Sequence, residues 1–123
     1  KIVTSKDAYE VMKPVMQDLP HEEFWLLMLN RANKLIKKEL ISRGGVSGTV
    51  VDTKIIFKTA MEQYASSIII CHNHPSGNLR PSDADIRITK NIKEAGKIME
   101  ITLVDHLIIA DSGYYSFADE AMV

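Results

Sequence analysis

Two histidines, a serine and an aspartate carry the chemistry legible in this chain: His72, His74, Ser82 and Asp85. The histidines follow Ile68-Ile69-Ile70-Cys71, an apolar run of the length expected for a central strand. In extended backbone, residues i and i+2 face the same side, so both imidazoles can reach one ion. A helix opening near Ser82 returns Asp85 to the same point in its first turn. Two ring nitrogens and one carboxylate oxygen are a set that zinc favours in catalytic sites, where a fourth position stays open for water. Cys71 is the one cysteine; alternation turns it away from the histidines, as a buried small hydrophobe. That argues against a closed thiolate zinc site and against a cysteine hydrolase. A zinc deaminase needs a Pro-Cys-x-x-Cys pair, which a chain with one cysteine lacks.

Taken singly, each residue has an ordinary reading. A His pair can cap a strand end, and Ser82-Asp83-Ala84-Asp85 reads as a helix capping box with Asp in place of Glu. Pro75 and Gly77 are turn formers, and Asn73 and Asn78 could bind substrate backbone or satisfy the loop, the second being the favoured reading. His106, inside the apolar Leu103–Ala110 stretch, reads as a satisfied core histidine, and the methionines as core filling. Only the combination, at this spacing, points to a metal.

The elements that must position these residues form a mixed α/β arrangement, a mixed β-sheet flanked by helices. Ser5, Asp7 and the apolar positions Ala8, Val11, Met12, Val15 and Met16 predict a helix capped by Ser5, with a break at Pro14. Phe24 to Leu29 and Leu35 to Ser42 predict a hairpin turned through Asn30 to Asn33. Gly44, Gly45 and Gly48 mark a loop. Asp52 or Thr53 caps a helix through Ile56, Phe57, Ala60, Met61 and Tyr64. The Ile68–Cys71 strand follows, then a loop from His72 to Pro81 and a helix opened by Ser82 with Ile86, Ile88, Ile92, Ala95 and Met99. Ile101 to Ala110 and Tyr114 to Phe117 complete the set as strands.

The 123 residues, close to half apolar and a quarter charged, suit one domain with a core that needs no covalent staples. One cysteine excludes an internal disulfide and fits a reducing, cytoplasmic setting. No apolar run approaches the roughly 20 residues of a membrane span. The first residue is Lys1 rather than Met, as in an excised part of something longer. Net charge is −1, but Arg31, Lys34, Lys37, Lys38, Arg43, Lys54 and Lys58 cluster against Glu39 and Asp52. A stripe of that kind can follow phosphates, and also arises from ordinary exposed lysines, the reading preferred here.

The pattern His-x-His, seven residues, Ser-x-x-Asp resembles the signature of the JAB1/MPN (JAMM) metalloprotease family. His-Asn-His-Pro-Ser-Gly, Pro-Ser-x-x-Asp, Glu22-Glu23-Phe24 and Asp105-His106-Leu107-Ile108-Ile109 resemble its bacterial RadC branch, and the similarity runs from about Lys1 to Phe117. The resemblance implies a JAMM-type fold similar to the cytidine deaminase core, in a C-terminal domain preceded by a helix-hairpin-helix region. It implies one zinc on His72, His74 and Asp85, and an upstream glutamate at the metal's water. Glu22 matches that position, two residues before Phe24; Glu23 faces the other side of an extended segment. Ser82 would then support the oxyanion while a peptide or isopeptide bond of a protein substrate is hydrolysed. The other outcome the resemblance allows is a non-catalytic RadC-type binding module in DNA repair or recombination.

Overall fold

The computed structural model describes residues 1–44 and 51–123; Gly45 and Gly48 of the expected loop lie outside the described residues. The elements are α1 (Ser5–Met16), β1 (Glu23–Leu29), β2 (Leu35–Arg43), α2 (Thr53–Glu62), β3 (Ser67–Asn73), α3 (Asp83–Met99), β4 (Thr102–Ala110) and β5 (Gly113–Ser116). They build a five-stranded mixed sheet in the order β2-β1-β3-β4-β5. Among the described residues only β3 and β4 run parallel, joined by the crossover helix α3, and the other pairs are antiparallel.

The expected mixed α/β class and element order are therefore observed, with two local corrections. The cap of α1 is Thr4, not Ser5. Thr4 Oγ1 accepts from the Asp7 amide and the Asp7 carboxylate accepts from the Thr4 amide, a reciprocal box in which Asp7 is the third helical residue. Ser5 lies inside the helix, and its hydroxyl donates to Asp119 at 2.6 Å. Nor does Pro14 break α1, which continues to Met16. A proline that close to the end removes one backbone bond, and packing of Met12 and Met16 holds the last turn.

Alternation along the strands divides the core into two layers. Phe24, Leu26 and Met28 of β1 and Ile68 and Ile70 of β3 face Ile56, Phe57, Ala60 and Ile92 from α2 and α3. Leu27, Leu29, Ile69 and Cys71 face Ala8, Met12 and Met16 of α1. β3 is buried along its full length, which is why it carries an unbroken apolar run. Cys71 belongs to the α1 layer, as the alternation predicts, and burial pushes its thiol far above the ordinary range. His72, one residue on, belongs to the opposite layer.

A β-bulge in β4 has a direct consequence for that layer. Ile68 pairs with Leu103 but Ile69 pairs with Asp105, so Val104 has no partner on β3. The extra residue switches the facing of everything after it. Leu103 points to α2 and α3, as it would in a regular strand, and so does His106, which regular alternation would send toward α1.

α3 packs against the sheet through a close approach at Gly96. A Cβ there would overlap the Ile101 carbonyl oxygen, a backbone atom that cannot swing away. Gly96→Ala gains up to about 1 kcal/mol of helix propensity but is expected to lose about 1–3 kcal/mol to overpacking. Chemical denaturation checks the sign: a net loss is predicted, and a more stable variant would show that the helix can shift outward. Among the described residues, no helix is long and apolar enough to cross a membrane. The basic cluster falls on the edge strand β2, its preceding turn and α2; Lys37 pairs with Glu39 and Arg43 with Glu23.

Candidate metal centre

β3 delivers both histidines to one point. His72, the penultimate strand residue, is buried, and His74 leaves the strand on the same side, their Nε2 atoms 3.0 Å apart. α3 brings in the Asp85 carboxylate, with Oδ1 3.1 Å from His72 Nε2 and Oδ2 3.3 Å from His74 Nε2. Ligands about 2.0–2.1 Å from a tetrahedral zinc stand roughly 3.3–3.4 Å from one another. The two imidazole nitrogens and the carboxylate, which turns one oxygen to each ring, are spaced on that scale.

The protonation of His74 follows from its neighbour. Its Nδ1 lies 2.6 Å from the Asn78 carbonyl oxygen, which can only accept, so Nδ1 carries the hydrogen. In the neutral ring Nε2 then presents a lone pair to the Asp85 carboxylate and to the other imidazole. Electron-rich atoms held this close call for a cation or a proton between them. The electrostatics agree: the Asp85 contact raises the His74 pKa against the effect of burial. Burial alone would raise the Asp85 carboxyl, but its close contacts with the His72 and His74 rings hold it well below the usual carboxylate range.

The capping and metal readings of Ser82 and Asp85 prove compatible. Ser82 is the N-cap of α3, its Oγ accepting from the Asp85 amide at 3.1 Å, and Asp85 Oδ2 accepts from the Ser82 amide at 2.8 Å. The cap fixes the carboxylate in the first turn, where its remaining lone pairs face the imidazoles. Because Ser82 Oγ only accepts in the box, its O–H hydrogen stays free to donate.

Glu22 and Glu23 separate as the extended geometry requires. Glu23 is buried and its carboxylate takes hydrogen bonds from His21 Nε2 (2.9 Å), Trp25 Nε1 (2.9 Å) and Arg43 Nε (3.1 Å). These outweigh burial and lower its pKa. Glu22 faces the other way, with carboxylate and imidazole ligand atoms of Glu22, His72 and His74 all within 4.8 Å. The three could themselves hold a metal; Asp85 approaches the two rings more closely.

Asn73 does more than satisfy a loop. It is the last residue of β3, buried, with Oδ1 accepting from the Glu23 amide at 2.7 Å and Nδ2 donating to the His21 carbonyl at 2.9 Å. It thus clips the segment that carries Glu22 onto the strand that carries His72. Asn78 plays its expected part, its side chain accepting from the Arg80 amide, while its carbonyl orients His74. His106 is fully buried and satisfied, as expected, but its partners are His72 and Thr89. Sequence reasoning left both second roles out; the signal present for His106 was its polarity inside an apolar strand.

The site opens into a cleft of about 1100 Å³ whose wall includes Glu22, His72, His74, Arg80, Ser82 and Asp85. The cleft thus gathers all five of the residues picked out in the sequence, with Val51 and Ile88 as apolar wall.

Comparison with known proteins agrees with this geometry. Residues 2–122 match the family described as the RadC-like JAB domain. The chain is 53% identical over 122 residues to a UPF0758 protein of Flavobacterium johnsoniae, covering 99% of this chain and 53% of that protein. It is 47% identical over 123 residues to one from Porphyromonas gingivalis, covering 99% and 54% respectively. A relative from Staphylococcus haemolyticus is 39% identical over 120 residues, covering 98% of this chain and 53% of its own length. The chain spans about half the length of these relatives, whose names state no activity. With a family match over nearly every residue, two imidazoles and two carboxylates converging at one cleft, and the fold that places them, this chain belongs to the RadC-like JAB family, a relation of the JAMM proteins.

Proposed function

We propose that this domain is a zinc-dependent hydrolase that cleaves a peptide or isopeptide bond of a protein substrate. The observation that supports the reading best is the meeting of the His72 and His74 Nε2 atoms with Asp85 within 3.3 Å, beside an unburied Glu22 and a free Ser82 hydroxyl. A structural metal site has no use for Glu22, and the α3 cap uses a lone pair of Ser82 Oγ but not its hydrogen.

His72, His74 and Asp85 would hold the ion, which when bound supplies Lewis acidity and lowers the pKa of water toward about 7. Glu22 takes the proton of the attacking water and passes it to the leaving nitrogen as the C–N bond breaks. Its carboxylate lies within 4.8 Å of ring nitrogens of both imidazoles, and Asn73 clips the neighbouring Glu23 amide to β3, which supports that role. The Ser82 O–H donates to the carbonyl oxygen as negative charge develops there. One such donor is worth about 3 kcal/mol of barrier, so Ser82→Ala should slow turnover about 100-fold or more with zinc still bound. The same change removes the α3 cap and should cost about 1 kcal/mol of stability, which thermal melts separate from the kinetic loss. Full activity in that variant would remove Ser82 from the mechanism.

The test is incubation of the zinc-loaded domain with a library of peptides and with isopeptide-linked conjugates, read by mass spectrometry. New termini that require zinc and vanish with Glu22→Gln support the hydrolase. Salt-sensitive DNA binding without cleavage would support the alternative of a non-catalytic RadC-type module.

A further inference from the structure

We propose that His106 is a positioning residue of the metal centre: a directed chain of hydrogen bonds through it holds His72 as the tautomer whose Nε2 is bare and turned toward the ion. The inference rests on the metal-centre reading above.

The chain begins at the Asp85 main-chain carbonyl, which can only accept. The Thr89 hydroxyl lies one helical turn on, 2.7 Å away, and gives its single hydrogen to that oxygen. Thr89 Oγ1 then offers only lone pairs to His106 Nδ1, so Nδ1 of His106 carries a hydrogen and donates. The ring has no exposed surface, and neither of its nitrogens touches a carboxylate, so a second proton would be an unpaired buried charge. His106 Nε2 is therefore bare and accepts from His72 Nδ1–H at 2.8 Å. One hydrogen on a neutral imidazole leaves His72 Nε2 as a lone pair, 3.1 Å from the Asp85 carboxylate. The chain starts and finishes on Asp85, tying the first turn of α3 to β4 and β3. Run in the opposite sense it would place a hydrogen on His72 Nε2, where the ion must bind.

Neighbouring rings fix the planes of the two links. Phe117 stacks on His106 with centroids 4.5 Å apart and planes 5° apart, and Phe24 lies parallel to His72 at 6.0 Å and 9°. The bulge at Val104 turns His106 into this layer at all. Partners of metal-ligating histidines set tautomer and ring orientation, and removing one typically weakens metal binding about 10–100-fold.

The experiment compares zinc affinity, by chelator competition, in the parent, His106→Leu and His106→Gln. Leucine keeps the bulk and abolishes the chain. Glutamine restores one acceptor toward His72 and one donor toward Thr89. The expected result is zinc binding about 10–100-fold weaker for His106→Leu, largely recovered in His106→Gln. Thr89→Val, which removes the origin of the chain at nearly constant volume, should weaken binding in the same direction and serves if His106→Leu does not fold. In parallel, nitrogen-15 NMR of the metal-free parent, above the imidazole titration range, should find the His106 hydrogen on Nδ1. Parental affinity in His106→Leu, a glutamine variant no better than leucine, or a hydrogen on His106 Nε2 would overturn the proposal. A parent that takes up no zinc would overturn the metal reading, and the NMR tautomer would still decide the role of His106.

Discussion

Asp85→Asn will remove the stabilisation that zinc confers while keeping the cap of α3. Asparagine can accept from the Ser82 amide, as Asp85 Oδ2 does at 2.8 Å, so the reciprocal box survives. It lacks the charge that balances a divalent ion opposite His72 and His74. Loss of a direct ligand should weaken zinc by more than the roughly 100-fold that an outer partner costs. With zinc at about 100 times the parental dissociation constant, the parent gains about 2.7 kcal/mol, or roughly 10 °C in Tm for a domain of this size. The variant at the same zinc should gain no more than about 0.4 kcal/mol, or roughly 2 °C. Asp85→Ala should share the loss of zinc and also be less stable without metal, because half of the box goes with it. A full zinc shift in Asp85→Asn would leave Asp85 as a cap alone.

Glu22→Gln is expected to behave in the opposite way, with zinc retained and turnover lost. Glu22 approaches the two imidazoles less closely than Asp85 does, and the Glu23–Asn73 clip positions its segment there. An amide of the same size keeps those contacts and cannot take a proton. Removing a positioned general base costs about 100- to 10,000-fold in rate. Steady-state hydrolysis and zinc content measured on one preparation distinguish the outcomes. Lost zinc would make Glu22 a ligand, and unchanged turnover would place the base elsewhere. Glu23→Gln is the contrasting control, because Glu23 is held by His21, Trp25 and Arg43 on the side away from Glu22 and belongs to the scaffold.

The convergence of His72, His74 and Asp85 was legible because its geometry is local. Period-two alternation puts His72 and His74 together, and the first turn of a helix capped at Ser82 returns Asp85. The same alternation placed Cys71 in the layer against α1. Glu22 was legible through resemblance alone, since it reaches the site across the β1–β3 pairing, where Phe24 stands opposite His72. What escaped notice depends on registers that no local pattern encodes. The bulge at Val104 reverses the facing of β4 without any glycine or proline to announce it, so His106 read as core. Asn73 read as a loop residue because β3 runs two residues beyond its apolar stretch, and only the pairing with β1 shows what the amide clips. The Thr4 cap was legible in principle: Asp7 stands three residues after Thr4, and the box takes precedence over the Ser5 next door.

The central claim is that His72, His74 and Asp85 hold one zinc ion, and its most direct test is metal content by inductively coupled plasma mass spectrometry. The protein would be purified without chelator or metal-affinity tag, beside His74→Ala. About one zinc per chain in the parent, lost in the variant, is the predicted result. No zinc in either, even after zinc is added to the folded protein, would contradict the account and turn attention to a binding role for the domain.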